Sequence, residues 1–376
     1  MPQGHKNRKK MKSLKIILAA AVCLIPAALG AQVSKVETGE FKLAAGERGE
    51  FPTNFIRVQT RLTAEVSFAK FQPVSIGRGS DKTYRGGWVE ITDKEVVVYD
   101  VVLKNKTLEE DAAISGNSKK VQTIRARVPE EVGRYAHGLN FRKVKALKVS
   151  VDVGDAGAEL KVTTRKGEFV QSLPKWWAGG APFVQNLGNE PVDATLSFER
   201  KKADAPIWFI ADSYFNSTSR ARWPYYMVKD GCTEWMADHL PGGSAPGLLP
   251  CFKHDLEFGT PKIVVWELQG NIGPDEGLEP SPKWLKAVEE FLSICKEKGI
   301  TPVFTTAPSV RQNVAGRNKW IKDHGYRVLD FREALVNEDG TDWKDPSWRS
   351  RDGVHPSPSG AVVIWETVKK GLPELR

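Results

Sequence analysis

The fold is decided by the stretch Ile207-Trp208-Phe209-Ile210-Ala211-Asp212-Ser213, in which five apolar residues lead directly into an acid and a serine. A continuous apolar run of this length is typical of a strand buried on both faces, as in a parallel sheet. Strand-like and helical segments then alternate, with strands at 262–268, 302–306 and 326–331 and helices at 282–298, 313–324 and 357–370. The alternation predicts βαβ units, and therefore an α/β/α three-layer domain with a mostly parallel sheet over 201–376.

The chain before this stretch has a different pattern. Between 32 and 200 helical periodicity is weak, and turns separate short β-branched runs at 55–68, 88–103, 121–128, 144–153, 158–164 and 192–198. Two of these runs flank Gly154-Asp155-Ala156-Gly157, which has the composition of a hairpin turn. Many short strands at this spacing predict a β-sandwich or jelly-roll domain over 32–200.

The composition is that of a globular protein. The chain has 376 residues, 40% of them hydrophobic and 27% charged, which excludes collagen-like, coiled-coil and disordered chains. The formal charge is +9, but residues 1–31 hold six Lys or Arg and no acid, so the remainder carries only +3. Because no run rich in Lys or Arg concentrates that surplus, we do not expect nucleic acid as a partner.

Residues 1–31 have the pattern of a secretory signal peptide. A basic start precedes an apolar stretch at 16–29, and small residues follow up to Ala31, where we expect cleavage. The apolar stretch is short for a membrane-spanning helix, so no stable membrane span is expected. The sequence therefore predicts a secreted or periplasmic protein.

Polar residues that suit acyl transfer follow the predicted strands. Asp212-Ser213 comes after the first strand, Gln269-Gly270-Asn271 after the second, and Asp352-Gly353-Val354-His355-Pro356 before the last helix. The carboxyl ends of parallel strands share one edge of the sheet, where ligands bind. A serine needs an imidazole to accept its proton, the imidazole needs a carboxylate, and the developing oxyanion needs N–H donors. We predict Ser213 as nucleophile, His355 as base and Asp352 as its partner, with Asn271 and the Ser213 N–H as oxyanion donors.

At these residues the chain resembles the SGNH (GDSL-like) hydrolase superfamily, over roughly 206–376. Ser213 matches the serine of the first block, Asn271 the asparagine of the third, and Asp352 with His355 the last block. The resemblance implies an α/β/α serine esterase that uses this triad and requires no metal or other cofactor.

The resemblance also implies a second-block glycine in the oxyanion hole. The candidate is Gly243, with neighbouring Gly242 as the alternative. The sequence departs from the family pattern in two blocks, since Ala211 replaces a glycine and Gln269 and Ile272 stand in a block that usually reads Gly-x-Asn-Asp.

The order of the domains resembles that of exported carbohydrate esterases, in which a β-domain precedes the hydrolase. This resemblance implies removal of O-acetyl groups from an acylated glycan. Because indole rings stack on sugar rings, we predict Trp176, Trp177 and Trp223 as substrate contacts. Two other function classes stay open: a glycan-binding module that has lost catalysis, and an acyltransferase or lipid-directed esterase that uses the same triad.

Three cysteines remain after the predicted signal segment. Cys295 falls at helical spacing with apolar residues, so we expect it in the core. Cys232 and Cys251 could form a disulfide or be two buried thiols. No Cys/His cluster has the ligand spacing of a zinc site, so no metal is expected.

Overall fold

A computed structural model describes residues 36–51, 59–80, 85–109, 121–155, 157–173, 181–216, 219–240, 242–310 and 313–375, of which residues 80, 85, 102–109 and 121–127 are described by their backbone alone. The predicted signal segment at 1–31 lies outside these residues. Ser34–Arg376 forms one compact unit. In the described part of the chain, no helix has both the length and the apolar character needed to span a membrane.

The amino-terminal half forms two antiparallel sheets. The described strands are β1 (Val36–Leu43), β2 (Arg48–Glu50), β3 (Thr60–Phe68), β4 (Val74–Ser80), β5 (Arg85–Ile91), β6 (Glu95–Glu109), β7 (Val121–Ala136), β8 (Ala146–Val153), β9 (Ala158–Thr164), β10 (Gly167–Leu173), β11 (Pro182–Asn186) and β12 (Val192–Arg200). One sheet has the order β1-β12-β3-β8-β9-β10 and the other β2-β11-β4-β5-β6-β7. All their strand pairs are antiparallel.

The two antiparallel sheets contribute to one hydrophobic cluster. Leu62 and Val151 come from the first sheet and Ile76 and Val89 from the second, and all four are buried. Burial alternates along β12 because successive side chains of a strand point to opposite faces. The sandwich or jelly-roll assignment and the domain boundary at 201 stay predictions, while β12 ends at Arg200.

The carboxy-terminal half is built on a parallel sheet. Its described strands are β13 (Ile207–Ala211), β14 (Trp235–His239), β15 (Ile263–Glu267), β16 (Thr301–Thr305) and β17 (Arg327–Leu329). Its described helices are α1 (Trp223–Lys229), α2 (Ala245–Asp255), α3 (Pro282–Lys298), α4 (Ala315–Asp323), α5 (Phe331–Leu335) and α6 (Pro358–Gly371), with 3₁₀ turns at Pro346–Trp348 and Pro373–Leu375.

Helices cover both faces of this sheet. Trp208 of β13 packs in a cluster with residues of α2 and α3, whereas Phe209 packs in a second cluster with residues of α1 and α6. Because both faces are buried, every residue of β13 is apolar and inaccessible. The predicted parallel sheet with helices on both faces is confirmed.

The strand order places β13 between β14 and β15. The order is β14-β13-β15-β16-β17, so the chain leaves β13 towards one neighbour and returns to the other. A reversal of this kind opens a crevice beyond the carboxyl ends of the strands. Ser213 stands two residues past β13, at this reversal.

Several elements differ from the prediction. The run predicted as one strand at 88–103 is divided between β5 and β6, because the Thr92 hydroxyl accepts hydrogen bonds from the N–H groups of Lys94 and Glu95 and closes a turn. The sequence analysis did not predict β14, α1 or α2. Polar Asp238 and His239 end β14, and Pro250 lies inside α2, so both segments lack a clear periodic signal.

The structure decides the alternative left open for the cysteines. Cys232 packs in the cluster on the α1 face of the parallel sheet, and Cys251 packs in the cluster on the α2 face. The sheet lies between the two thiols, so they form no disulfide. Cys295 is buried on α3 as predicted, and burial raises its pKa to about 12.

Candidate active site

The turn that follows β13 presents Ser213. Asp212 stabilises this turn, since its Oδ1 accepts the Tyr214 N–H at 3.1 Å and its carbonyl accepts the Phe215 N–H at 3.3 Å. Phe215 is buried in the α1-side cluster and anchors the turn. Arg222, which precedes α1, donates from Nε to the Ser213 carbonyl oxygen. The serine is therefore held on a fixed backbone while its own side chain remains half-buried.

The loop before α6 carries Asp352 and His355. Asp352 Oδ1 accepts from the N–H groups of Val354 and His355 at 2.8 and 2.9 Å, and from the Ser350 hydroxyl at 2.6 Å. Tyr214 donates its hydroxyl proton to the Val354 carbonyl oxygen at 2.6 Å. This last bond joins the loop to the turn that carries the serine.

Ser213, His355 and Asp352 form a continuous hydrogen-bonded chain. Ser213 Oγ lies 2.7 Å from His355 Nε2, and His355 Nδ1 lies 2.7 Å from Asp352 Oδ2. An ionised carboxylate can only accept, so it fixes the imidazole proton on Nδ1 and leaves Nε2 to accept the serine proton. The arrangement can make a serine nucleophilic.

The electrostatics of the site suit a neutral histidine beside an ionised aspartate. Burial lowers the pKa of His355, the hydrogen bond to Asp352 raises it, and the nearby positive charge of Arg222 lowers it again. Partial burial raises the pKa of Asp352, but its hydrogen bonds from His355 and Ser350 outweigh burial and hold it well below the ordinary value. Near neutral pH the base is therefore ready to accept a proton.

Asn271 lies next to the same turn. Its backbone is left-handed, with φ of +60°, a conformation that asparagine tolerates better than most residues. Its Nδ2 donates to Asp212 Oδ2 at 3.1 Å. That bond uses one of the two hydrogens that the amide nitrogen carries.

Two buried carboxyl groups, those of Asp212 and Glu267, lie at the carboxyl ends of β13 and β15. Glu267 ends β15 in register with Ala211, and its Oε2 accepts the Trp223 indole N–H at 3.1 Å. Burial raises the pKa of Asp212 to about 7, against the backbone N–H of Tyr214 that lowers it. Burial and the Asp212 charge together raise the pKa of Glu267 well above its ordinary value. The fold therefore favours the protonated form of Glu267.

His239 completes the buried surroundings of this end of the sheet. It ends β14 in register with Ala211, opposite the side on which Glu267 lies. Burial lowers its pKa to about 4, so it is neutral at physiological pH.

The structure corrects the prediction for Gly243. Its N–H donates to the carbonyl oxygen of Leu240 at 2.5 Å, so that donor is engaged within its own turn. Gly242, with φ of +73°, supplies the left-handed position of this turn. In this conformation Gly243 does not offer its N–H to an oxyanion.

The prediction that Trp223 contacts a sugar is wrong. Its side chain is completely buried, its indole N–H is bonded to Glu267, and its ring stacks on Trp365 at 6.2 Å. A ring enclosed in this way has no face for a sugar. Trp176 and Trp177 lie outside the described residues.

The sequence analysis missed Arg222 and Glu267. An acid near the end of an apolar strand was the available signal for Glu267. Arg222 had no comparable signal, because it lies in a loop and acts through its side chain. Within the described residues no group of three His, Cys, Asp or Glu side chains could hold a metal ion. The expectation that no cofactor is needed stays a prediction.

No protein-family model and no curated protein matches this chain. Solved structures of GDSL-type hydrolases resemble part of it. One is a protein from Desulfitobacterium hafniense DCB-2 that is assigned to the G-D-S-L family of lipolytic proteins. It is 18% identical over 45% of this chain and 100% of its own, with a TM-score of 0.38.

Two further structures match in a similar way. A GDSL-like lipase from Bacteroides thetaiotaomicron VPI-5482 is 14% identical over 47% of this chain and 90% of its own, with a TM-score of 0.36. An acetyl xylan esterase is 15% identical over 44% of this chain and 98% of its own, also with a TM-score of 0.36.

Proposed function

We propose that the protein is a serine ester hydrolase with Ser213 as nucleophile, His355 as general base and acid, and Asp352 as the residue that orients His355. The observation that carries the proposal is the hydrogen-bonded chain of two 2.7 Å contacts through His355. Its supports are the lowered pKa of His355 and the position of Ser213 at the strand-order reversal.

The reaction has two halves. Ser213 Oγ forms a bond to the acyl carbon while its proton moves to His355 Nε2, and that proton then leaves with the alcohol when the ester bond breaks. Water next attacks the acyl-serine, gives its proton to His355, and the acid is released as Ser213 regains a proton. Asn271 and the Ser213 N–H stabilise the negative oxygen in both halves.

The substrate class within this proposal is an O-acetylated carbohydrate. Its supports are the predicted signal segment, which would bring the protein to extracellular or periplasmic glycans, and the antiparallel sheets that precede the hydrolase half. After the correction of Trp223, only Trp176 and Trp177 remain as predicted sugar contacts.

A fluorophosphonate probe tests the chemistry, because it forms a covalent bond only with an activated serine. We expect labelling of Ser213 in the folded wild type and none in Ser213→Ala. Ser219→Ala, a nearby serine on the same connection, is the matched control and should label like the wild type. A folded wild type that does not label would overturn the proposal.

Acetate release from a panel of acetylated polysaccharides tests the substrate class. We expect release that depends on Ser213, with free acetate as the product even when a sugar acceptor is present. If the probe labels Ser213 but no polysaccharide releases acetate, the esterase chemistry is retained and the carbohydrate substrate class is rejected. Transfer of acetate to the acceptor would identify an acyltransferase instead.

A further inference from the structure

Asn271 lies in the loop between β15 and α3. One buried side chain donates hydrogen bonds to the backbone of this loop on both sides of Asn271. Arg317, in the first turn of α4, donates from Nη1 to the Gln269 carbonyl oxygen at 2.5 Å and from Nη2 to the Gly273 carbonyl oxygen. These two carbonyls lie two residues before and two residues after Asn271. A planar guanidinium can hold two such acceptors at once in a fixed geometry.

Arg317 is itself fixed by Asp275. Arg317 Nε donates to Asp275 Oδ1 at 2.7 Å, and the Arg317 backbone N–H donates to Oδ2 at 2.9 Å. The side chains of both residues are essentially inaccessible, at 1% and 0% exposure. A buried pair of this kind is costly to desolvate and is often no more stabilising than apolar packing. Its presence here favours a role in fixing a geometry.

The same carboxylate joins the loop to two helices. Asp275 Oδ1 also accepts the N–H of Ser281, which precedes α3, and the Asn313 side chain donates to the Asp275 carbonyl oxygen at 2.7 Å. Asp275 therefore connects the starts of α3 and α4, and Arg317 extends this connection to the loop.

Two side chains near Asn271 do not make equivalent hydrogen bonds to the loop backbone. Ile272 packs against the α2-side cluster and carries no polar group. Gln269 donates to the Trp266 carbonyl oxygen at 3.2 Å, which lies on the strand before the loop. Among the described residues, Arg317 is the side chain that hydrogen-bonds to the backbone both before and after Asn271.

We infer that Arg317, held by Asp275, is a positioning residue that fixes the Asn271 amide for the oxyanion. The inference rests on the proposed function, and it names a residue outside the triad and the oxyanion hole. Arg317 touches no reacting atom; it acts by holding the backbone on either side of Asn271. Its effect on catalysis must therefore disappear when the Asn271 amide is removed.

The test is a double-mutant cycle between Arg317→Lys and Asn271→Ala, measured as kcat and KM on an activated acetate ester. A lysine retains the charge beside Asp275 but cannot hold both carbonyls. We expect Arg317→Lys to lower kcat roughly tenfold or more, with little change in KM, as for a small misplacement of a catalytic group. In the Asn271→Ala background we expect less than a twofold effect.

Arg327→Lys is the matched control. Arg327 pairs with Glu374 at the opposite end of the parallel sheet, and this variant should keep full kcat. An equal loss from Arg317→Lys in both backgrounds would identify a general structural role and overturn the inference. Full kcat in folded Arg317→Lys would overturn it as well.

A second variant covers failure of Arg317→Lys to fold. Arg317→Gln combined with Asp275→Asn removes both charges together, which buried pairs tolerate better than the loss of one partner. The same cycle applies to it. If neither variant folds, the pair is a folding element and the positioning role is overturned.

A crystal structure of the folded variant separates this inference from the proposed function. We expect the Asn271 amide to lose its 3.1 Å contact with Asp212. If the amide is displaced in the variant but the wild type is inactive and does not label, the positioning role of Arg317 is supported and the proposed esterase function is rejected. If the amide stays in place, the positioning role of Arg317 is rejected and the proposed esterase function is unaffected.

Discussion

Asn271 donates an amide hydrogen to Asp212, the residue directly before the candidate nucleophile, across 3.1 Å. The bond couples the loop after β15 to the turn after β13, two segments that are 59 residues apart in the chain. Since Oδ1 of the same carboxylate accepts the Tyr214 N–H, Asp212 orients both the amide and the serine turn. One carboxyl group thereby contacts both segments of the proposed oxyanion site.

The first prediction concerns this amide. Asn271→Ala should lower kcat by roughly a hundredfold or more, the scale for loss of one oxyanion donor, because the donor acts mainly when charge develops. KM should change little. Steady-state kinetics on an activated ester measure both constants, and exposed Asn189→Ala in the antiparallel half is the control. An Asn271→Ala variant with nearly full kcat would show that the amide does not meet the oxyanion.

The second prediction concerns the unit formed by Ser213 and His355. Ser213→Ala and His355→Ala should each lower kcat by several orders of magnitude, and the double variant should be scarcely worse than either. The effects are not additive because each residue works only through the other across their 2.7 Å contact. Losses that multiply in the double variant would count against a common mechanism.

The sequence was sufficient for the residues that follow strands. Ser213 and Asn271 stand just beyond apolar runs, and parallel strands bring such positions to one edge. His355 was predictable because Asp352 stands three residues before it, and the loop needs only short-range hydrogen bonds to Asp352.

The sequence was insufficient where a residue's role depends on which group accepts its hydrogen bond or on which residues cover its side chain. Gly243 was predicted from the resemblance to the family's second block, but its N–H donates to the Leu240 carbonyl oxygen within its own turn. The Pro-Gly pair at 241–242 was an available signal for that turn. Trp223 was predicted from its closeness to Ser213 along the chain, but the short helix α1 turns it into the core. Arg317 is 46 residues from Asn271, and no local pattern links them.

The third prediction concerns pH. Burial and the Arg222 charge lower the pKa of His355, although its hydrogen bond to Asp352 raises it. We therefore expect kcat/KM to rise with pH through an apparent pKa below the ordinary histidine value of about 6.5. Arg222→Gln removes a positive charge and should move the His355 pKa upward. Arg222→Lys keeps the charge and should move it less.

The imidazole has to be followed directly, because Asp212 has a pKa of about 7 and Arg222 lowers that value too. Nitrogen chemical shifts of His355 across the titration report its own protonation. Equal shifts of the His355 pKa in the Gln and Lys variants would show that the Arg222 charge does not act on the base.

The last prediction concerns the stability cost of the buried Glu267. Its folded-state pKa is raised well above the unfolded value of about 4.3, chiefly by burial, so the fold favours its protonated form. Stability from this group is complete below the unfolded pKa and is lost as pH rises towards the folded pKa, by about 1.4 kcal/mol per pH unit. Glu267→Gln cannot ionise, yet it keeps an oxygen to accept the Trp223 indole N–H. The variant should therefore gain free energy of unfolding relative to the wild type as pH increases from 5 to 8, measured by denaturant unfolding at each pH. Exposed Glu289→Gln on α3 is the control and should show no such trend. If the wild-type and Glu267→Gln curves run parallel over this range, Glu267 is ionised in the folded protein.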